Sequence, residues 1–114
     1  MMTDGPTRRF VLKGVAAFAA APTVTHASTT PKTHEIEIAS FRFHPAVIQA
    51  RVGDTIRWIN KDLAPHTATA NEFGWDTGEL GQGEAAEVPV NAGMEPSYFC
   101  VFHPHMKGKI KVIE

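Results

Sequence analysis

An antiparallel Greek-key β-sandwich is the fold this sequence predicts, on three observations. Polar and apolar residues alternate with period two, turn signals punctuate the chain at short intervals, and residues 28–114 contain no stretch of helical period. His34-Glu35-Ile36-Glu37-Ile38 alternates cleanly, Thr55-Ile56-Arg57-Trp58-Ile59 is rich in β-formers, and Lys109-Ile110-Lys111-Val112-Ile113 alternates again. Ala46 to Val52, Thr67 to Ala70, Ala86 to Val90 and Ser97 to Val101 add weaker candidates, for about seven strands in all. Turns fall at Val52-Gly53-Asp54, Gly78 to Gly83 and Asn91-Ala92-Gly93. No internal repeat and no second domain is visible.

The first 27 residues do not belong to that domain. Arg8, Arg9 and Lys13 precede an apolar run from Gly14 to Ala21, and small residues lead to Thr25-His26-Ala27, the layout of an export signal cleaved after Ala27. Thr7-Arg8-Arg9-Phe10-Val11-Leu12-Lys13 resembles the twin-arginine signal for folded cargo, with Val11 where Phe is usual. The apolar run is far shorter than the roughly 20 residues of a spanning helix. Cleavage would leave residues 28–33 as a polar, flexible tail and 34–114 as the folded domain, in the periplasm. Those 87 residues carry 8 basic and 11 acidic side chains, a net charge of −3 with His neutral. That balance offers no broad basic face for nucleic acid.

Cys100 is the chain's single cysteine, so it has no internal disulfide partner, and a free thiol in an oxidising compartment needs protection. Its neighbours supply one. Cys100, His103 and Met106 follow each other at Cys-x-x-His-x-x-Met spacing on the loop before the last strand, and His66 follows Pro65 after the Ile56 to Asn60 strand. Two imidazoles and a thiolate suit copper in a trigonal plane, with a thioether as a long axial ligand. Each residue alone has an ordinary reading, as surface histidine, core methionine or structural thiol. The spacing together with the export signal favours copper.

The stretch Tyr98-Phe99-Cys100-Val101-Phe102-His103-Pro104-His105-Met106-Lys107-Gly108-Lys109 resembles the blue-copper cupredoxins. The two-residue gap between His103 and Met106 resembles that of amicyanin-type members, and Val52 to Asn60 followed by Pro65-His66 is a second point of similarity. The resemblance implies His66, Cys100 and His103 as equatorial copper ligands, Met106 as axial ligand, and one-electron transfer rather than catalysis. It implies redox proteins as partners, a dehydrogenase donor and a c-type cytochrome acceptor, met by a monomer. Thr67 stands where those relatives have Asn, Phe102 where they have Pro, and residues 73–93 match poorly. The Phe102 backbone N–H, absent in proline, is expected to reach the Cys100 sulfur.

Other readings are open to fewer residues. A copper storage or delivery protein would favour open, Met- or His-rich sites, and only Met94 and Met106 follow the signal. Structural zinc prefers four tetrahedral ligands without a thioether. A hydrolase built on Cys100 and His103 lacks an orienting acid. The Gly-rich segment Glu72 to Gly83 lacks the lysine and helix of a phosphate loop and reads as a surface loop with Trp75 over the core. His105 reads as exposed, His34 and His44 as surface residues, and Trp58 as core.

Overall fold

A computed structural model describes residues 30–114; the export signal expected at 1–27 lies outside the described residues, as do the first two residues of the expected tail. Eight strands follow in order: β1 (Thr33–Ala39), β2 (Arg42–His44), β3 (Val47–Arg51), β4 (Thr55–Asn60), β5 (Thr69–Ala70), β6 (Ala85–Pro89), β7 (Ser97–Phe99) and β8 (Lys107–Ile113). They form two four-stranded sheets, β2-β1-β4-β6 and β3-β8-β7-β5. The fold is a β-sandwich, and the described residues contain no helix.

The alternation of the sequence sets which face goes inward. In β1, Ile36 and Ile38 are buried while Glu35 and Glu37 face out, and in β4 Ile56, Trp58 and Asn60 point inward. The opposite sheet contributes Ala50, Tyr98 and Ile110. Trp58 stacks on Trp75 with ring centroids 5.5 Å apart, and the Trp75 indole N–H donates to the Glu95 carbonyl at 2.9 Å. Trp75 therefore caps the core, as expected. Tyr98 lies across Gly108 on the neighbouring strand, and a Cβ there would run into its ring, so position 108 requires glycine. Burial pushes the Tyr98 hydroxyl up to about 12.

Two features are finer than the sequence pattern foresees. Most pairings are antiparallel, but β1 runs parallel to β4 and β3 parallel to β8. Between β1 and β4 the chain crosses to the other sheet as β3 and returns, so the two strands meet running the same way. The second is β2. It forms a hairpin with β1 in which Ala39 faces Arg42, leaving Ser40 and Phe41 as a two-residue loop with φ of 53° and 59°. Positive φ at both positions marks a type I′ turn, which ordinarily asks for Asn-Gly. Ser-Phe carries no such signal.

The start of the domain is fastened by Asp54. Its carboxylate accepts the His34 Nε2 at 2.8 Å, the Lys32 N–H at 3.0 Å and the Arg51 N–H at 2.9 Å. These three donors, His34 first, hold the Asp54 carboxyl down at about 2 against a reference of 3.8. A depressed carboxyl means the unfolded chain binds the proton more readily, so this fastening is present above about pH 4 and lost as pH falls toward 2. In unfolding titrations between pH 6 and pH 2, Asp54→Asn should be less stable at pH 6 and should lose less stability on acidification than the parent. Parallel pH profiles for the two proteins would reject this role.

Candidate metal centre

Four chain segments meet at one end of the sandwich: the β1–β2 turn, the connection after β4, the segment around Leu80, and the loop from Cys100 to Met106. Asn60 shapes the first approach to His66. Fully buried at the end of β4, it donates to the carbonyls of Ala64 (2.9 Å) and Leu80 (2.8 Å) and accepts the Asp62 N–H at 2.9 Å. His66 then pairs with Leu80 through both backbone groups, N–H to O at 3.1 Å and O to N–H at 2.8 Å. The loop 61–65 has little freedom left.

The second approach is a compact loop. The His103 N–H donates to the Cys100 carbonyl (3.2 Å), the Met106 N–H to the His103 carbonyl (2.8 Å), and the Cys100 N–H to the Met106 carbonyl (3.1 Å). The result places Cys100 Sγ 3.7 Å from Nδ1 of His66 and 3.7 Å from Nδ1 of His103, with all three donor atoms within 4.8 Å of one another. Bonds from a first-row metal to imidazole or thiolate run about 2.0–2.3 Å, so three donors in a plane around one ion stand about 3.6 Å apart. The cluster is thus close to ligating geometry, and its two-nitrogen, one-thiolate set fits copper. Cys100 and His66 are fully buried, Met106 is buried, and His103 is half-buried. His105 is exposed, as are Pro65, Phe102 and Pro104 around the site.

Two residues of this site escaped sequence reasoning. Asp62 Oδ2 lies 2.9 Å from His66 Nε2, so the ring donates there and turns its Nδ1 lone pair toward Cys100 and His103. The same carboxylate accepts the N–H groups of Ser40 (2.8 Å) and Phe41 (2.9 Å), the two residues of the strained turn. Burial acts to raise the Asp62 carboxyl, but the Phe41, His66 and Ser40 donors outweigh it and hold it below the usual carboxylate range. The turn in turn aims Phe41, whose ring sits edge-on to both histidines at centroid distances of 5.1 and 4.8 Å while remaining 45% exposed. An acidic residue four positions before the histidine was a visible signal. Nothing in the local pattern announces Phe41.

One expectation is corrected. Among the described residues the backbone N–H on the Cys100 sulfur is that of Thr67, at 3.4 Å, and no such bond comes from Phe102. The Cys100 to Met106 loop closes on its own carbonyls instead, and the sulfur's donor comes from the neighbouring chain segment that continues into β5.

The model of copper binding proteins of the plastocyanin/azurin family matches residues 31–113. The chain belongs to that family. Copper is accordingly the metal for which this cupredoxin's His-Cys-His cluster is built. Amicyanin from Paracoccus denitrificans is 26% identical over 82 residues, covering 68% of this chain and 63% of that protein. Amicyanin-alpha from Methylorubrum extorquens is 28% identical over 83 residues, covering 68% and 70%. The chain thus spans less than two thirds of the Paracoccus protein's length. Among solved structures, the Cu(I) form of an amicyanin methionine-to-alanine mutant superposes with a TM-score of 0.65 at 26% identity, over 76% of this chain and 88% of that one. A copper-containing nitrite reductase from Thermus scotoductus gives 0.62 at 25% identity, over 82% of this cupredoxin and 25% of that chain. These likenesses bear out the sandwich and the amicyanin-like character read from the ligand loop.

Asp62 offers a direct test of the site's construction. Asp62→Ala should weaken copper affinity roughly tenfold to hundredfold, the usual cost of losing a partner behind a ligating histidine. Competition titration against a chelator measures it, and an unchanged affinity would mean that backbone packing alone orients His66.

Proposed function

We propose that this protein carries single electrons between redox proteins through one type 1 copper held by His66, Cys100 and His103, with Met106 as weak axial ligand. The carrying observation is the convergence of three donor atoms, on segments held by buried hydrogen bonds, within 4.8 Å of one another. Copper supplies a one-electron couple when bound. The residues do the rest: Cys100 provides the thiolate, Asp62 fixes the His66 tautomer, and Phe41 shields both rings from water. A site already shaped this way changes little when its charge changes, and that suits rapid electron exchange. His103, half-buried between the exposed Phe102 and Pro104 in sequence, is the natural point of exit.

Burial of the cluster argues against storage or delivery, which needs ligands that open to a partner. The chain's likeness to amicyanins favours a carrier over an enzyme. The partners we infer are a c-type cytochrome as acceptor and a dehydrogenase as donor, met by a monomer in short-lived encounters.

Adding Cu(II) to the purified protein should produce an intense visible thiolate-to-copper band and a narrow copper hyperfine splitting in electron paramagnetic resonance. Cys100→Ala should abolish both. Met106→Gln should stay blue with a lowered potential, because a harder axial oxygen favours Cu(II). A pale, ordinary copper spectrum from the parent protein would defeat the proposal and bring copper storage forward.

Location follows from the leader. We infer cleavage after Ala27 and a periplasmic mature protein; N-terminal sequencing of protein recovered from the periplasm should begin at Ser28. Recovery of the uncleaved chain with the cytosol would overturn the export reading.

A further inference from the structure

Behind the cluster runs a buried line of hydroxyls that no copper ligand explains. Thr67 and Thr69 sit two apart, so they share one face of an extended segment, and both are buried. The Val101 N–H donates to Thr67 Oγ1 at 3.0 Å, the two threonine oxygens are 2.9 Å apart, and Thr69 Oγ1 is 2.8 Å from Asp76 Oδ1. Asp76 lies on the exposed Gly-rich segment, where its Oδ1 also accepts the Gly78 N–H at 2.9 Å.

The hydrogens in this chain have one consistent arrangement. An ionised carboxylate only accepts, so Thr69 spends its single proton on Asp76. Thr69 then faces Thr67 with lone pairs only, and Thr67 must donate to it. Thr67 is therefore left with lone pairs for the Val101 N–H, which is how the bond is observed. Both O–H dipoles point away from the copper loop and toward the carboxylate. An anionic acceptor strengthens the bond to it, and bonds aligned in a low-dielectric interior polarise one another.

Thr67 also grips the ligand directly, since its own N–H donates to Cys100 Sγ. One residue thus holds the thiolate sulfur and, through its hydroxyl, the peptide that follows it. With oxygen ends turned toward the site, the line makes the local potential more negative. A negative potential favours the more positively charged metal state.

We propose that Thr69 and Asp76 act through Thr67 as positioning residues of the copper loop, and that the line lowers the Cu(II)/Cu(I) potential. The proposal rests on the copper assignment made above. It gives an exposed carboxylate, outside the ligand set, a hydrogen-bonded path to the thiolate loop.

The test is a double-mutant cycle on the copper-loaded full chain, read as the Cu(I):Cu(II) ratio at a fixed applied potential. Asp76→Asn keeps an oxygen for Thr69 but removes the charge, and Thr69→Val cuts the line at constant volume. Each should raise the ratio by roughly two- to tenfold, the range for one hydrogen bond in a network. On the Thr69→Val background, Asp76→Asn should add less than about twofold, because the path is already severed. Thr69→Ser should restore the parental ratio, which also separates loss of the hydroxyl from any folding defect at a buried site. In the copper-free protein, the Val101 amide proton should move upfield in both Asp76→Asn and Thr69→Val.

Equal shifts from Asp76→Asn in the two backgrounds would show that the carboxylate acts through space and would overturn the relay. So would an unchanged ratio in both single variants, with the blue band intact. Absence of a blue band in the parent protein would be a different failure, that of the copper assignment, and would take the proposal with it.

Discussion

The bond between Asp62 and His66 is the constraint on which the metal end of this molecule depends. One carboxylate joins a candidate ligand histidine to the β1–β2 turn, 21 and 22 residues back from it, and through that turn sets the ring of Phe41. Without the two carboxylate oxygens that accept its N–H groups, a Ser-Phe pair would have to hold consecutive left-handed conformations unaided, at about 1–2 kcal/mol per residue. This strained pair falls at the place where a ring must sit against both histidines. Such conformations persist only when their surroundings over-determine them, and here the surroundings are the site itself.

The sandwich makes that arrangement stiff. Asn60 spends one amide hydrogen and its carbonyl on the loop leading to His66 and the other hydrogen on Leu80, the backbone partner of His66, and Trp58, two residues earlier in β4, anchors that strand in the core. On the other sheet, Tyr98 packs over Gly108 and fixes β7 against β8, the two strands that flank the ligand loop. Both approaches to the cluster therefore start from strands that cannot shift without disturbing the core. A close-packed interior resists small displacements, so the three donors are held within 4.8 Å of one another by the strands behind them.

The sheets and the cluster of His66, Cys100 and His103 were legible in the sequence for different reasons. Alternation in β1, β4 and β8 is strong because each has one buried face, and a period-two pattern reports that directly. The ligand loop was legible because three donor types at tight spacing are rare by chance. The hairpin strand β2 was not, since Arg42 to His44 is short and its turn lacks the usual Asn-Gly. The parallel pairings were hidden because alternation says which side faces the core and nothing about which neighbour a strand meets. The donor to the thiolate was sought in its own loop, at Phe102, while the fold supplies it from Thr67, 33 residues earlier. Contacts across that sequence separation leave no local mark.

The two histidines of the cluster are built unequally, and the difference divides their roles. His66 is fully buried, paired through its backbone to Leu80 and through its outer nitrogen to Asp62. His103 hangs on a short loop, half-buried, with Phe41 on one side and exposed Phe102 and Pro104 beside it. An electron leaving toward a partner needs a ligand near the surface, whereas a constant potential needs ligands that solvent cannot reach. Placing both demands on one residue would set them against each other. Under the proposed function, His66 and Cys100 held inside would keep the metal's surroundings fixed, while His103 near solvent would face the partner.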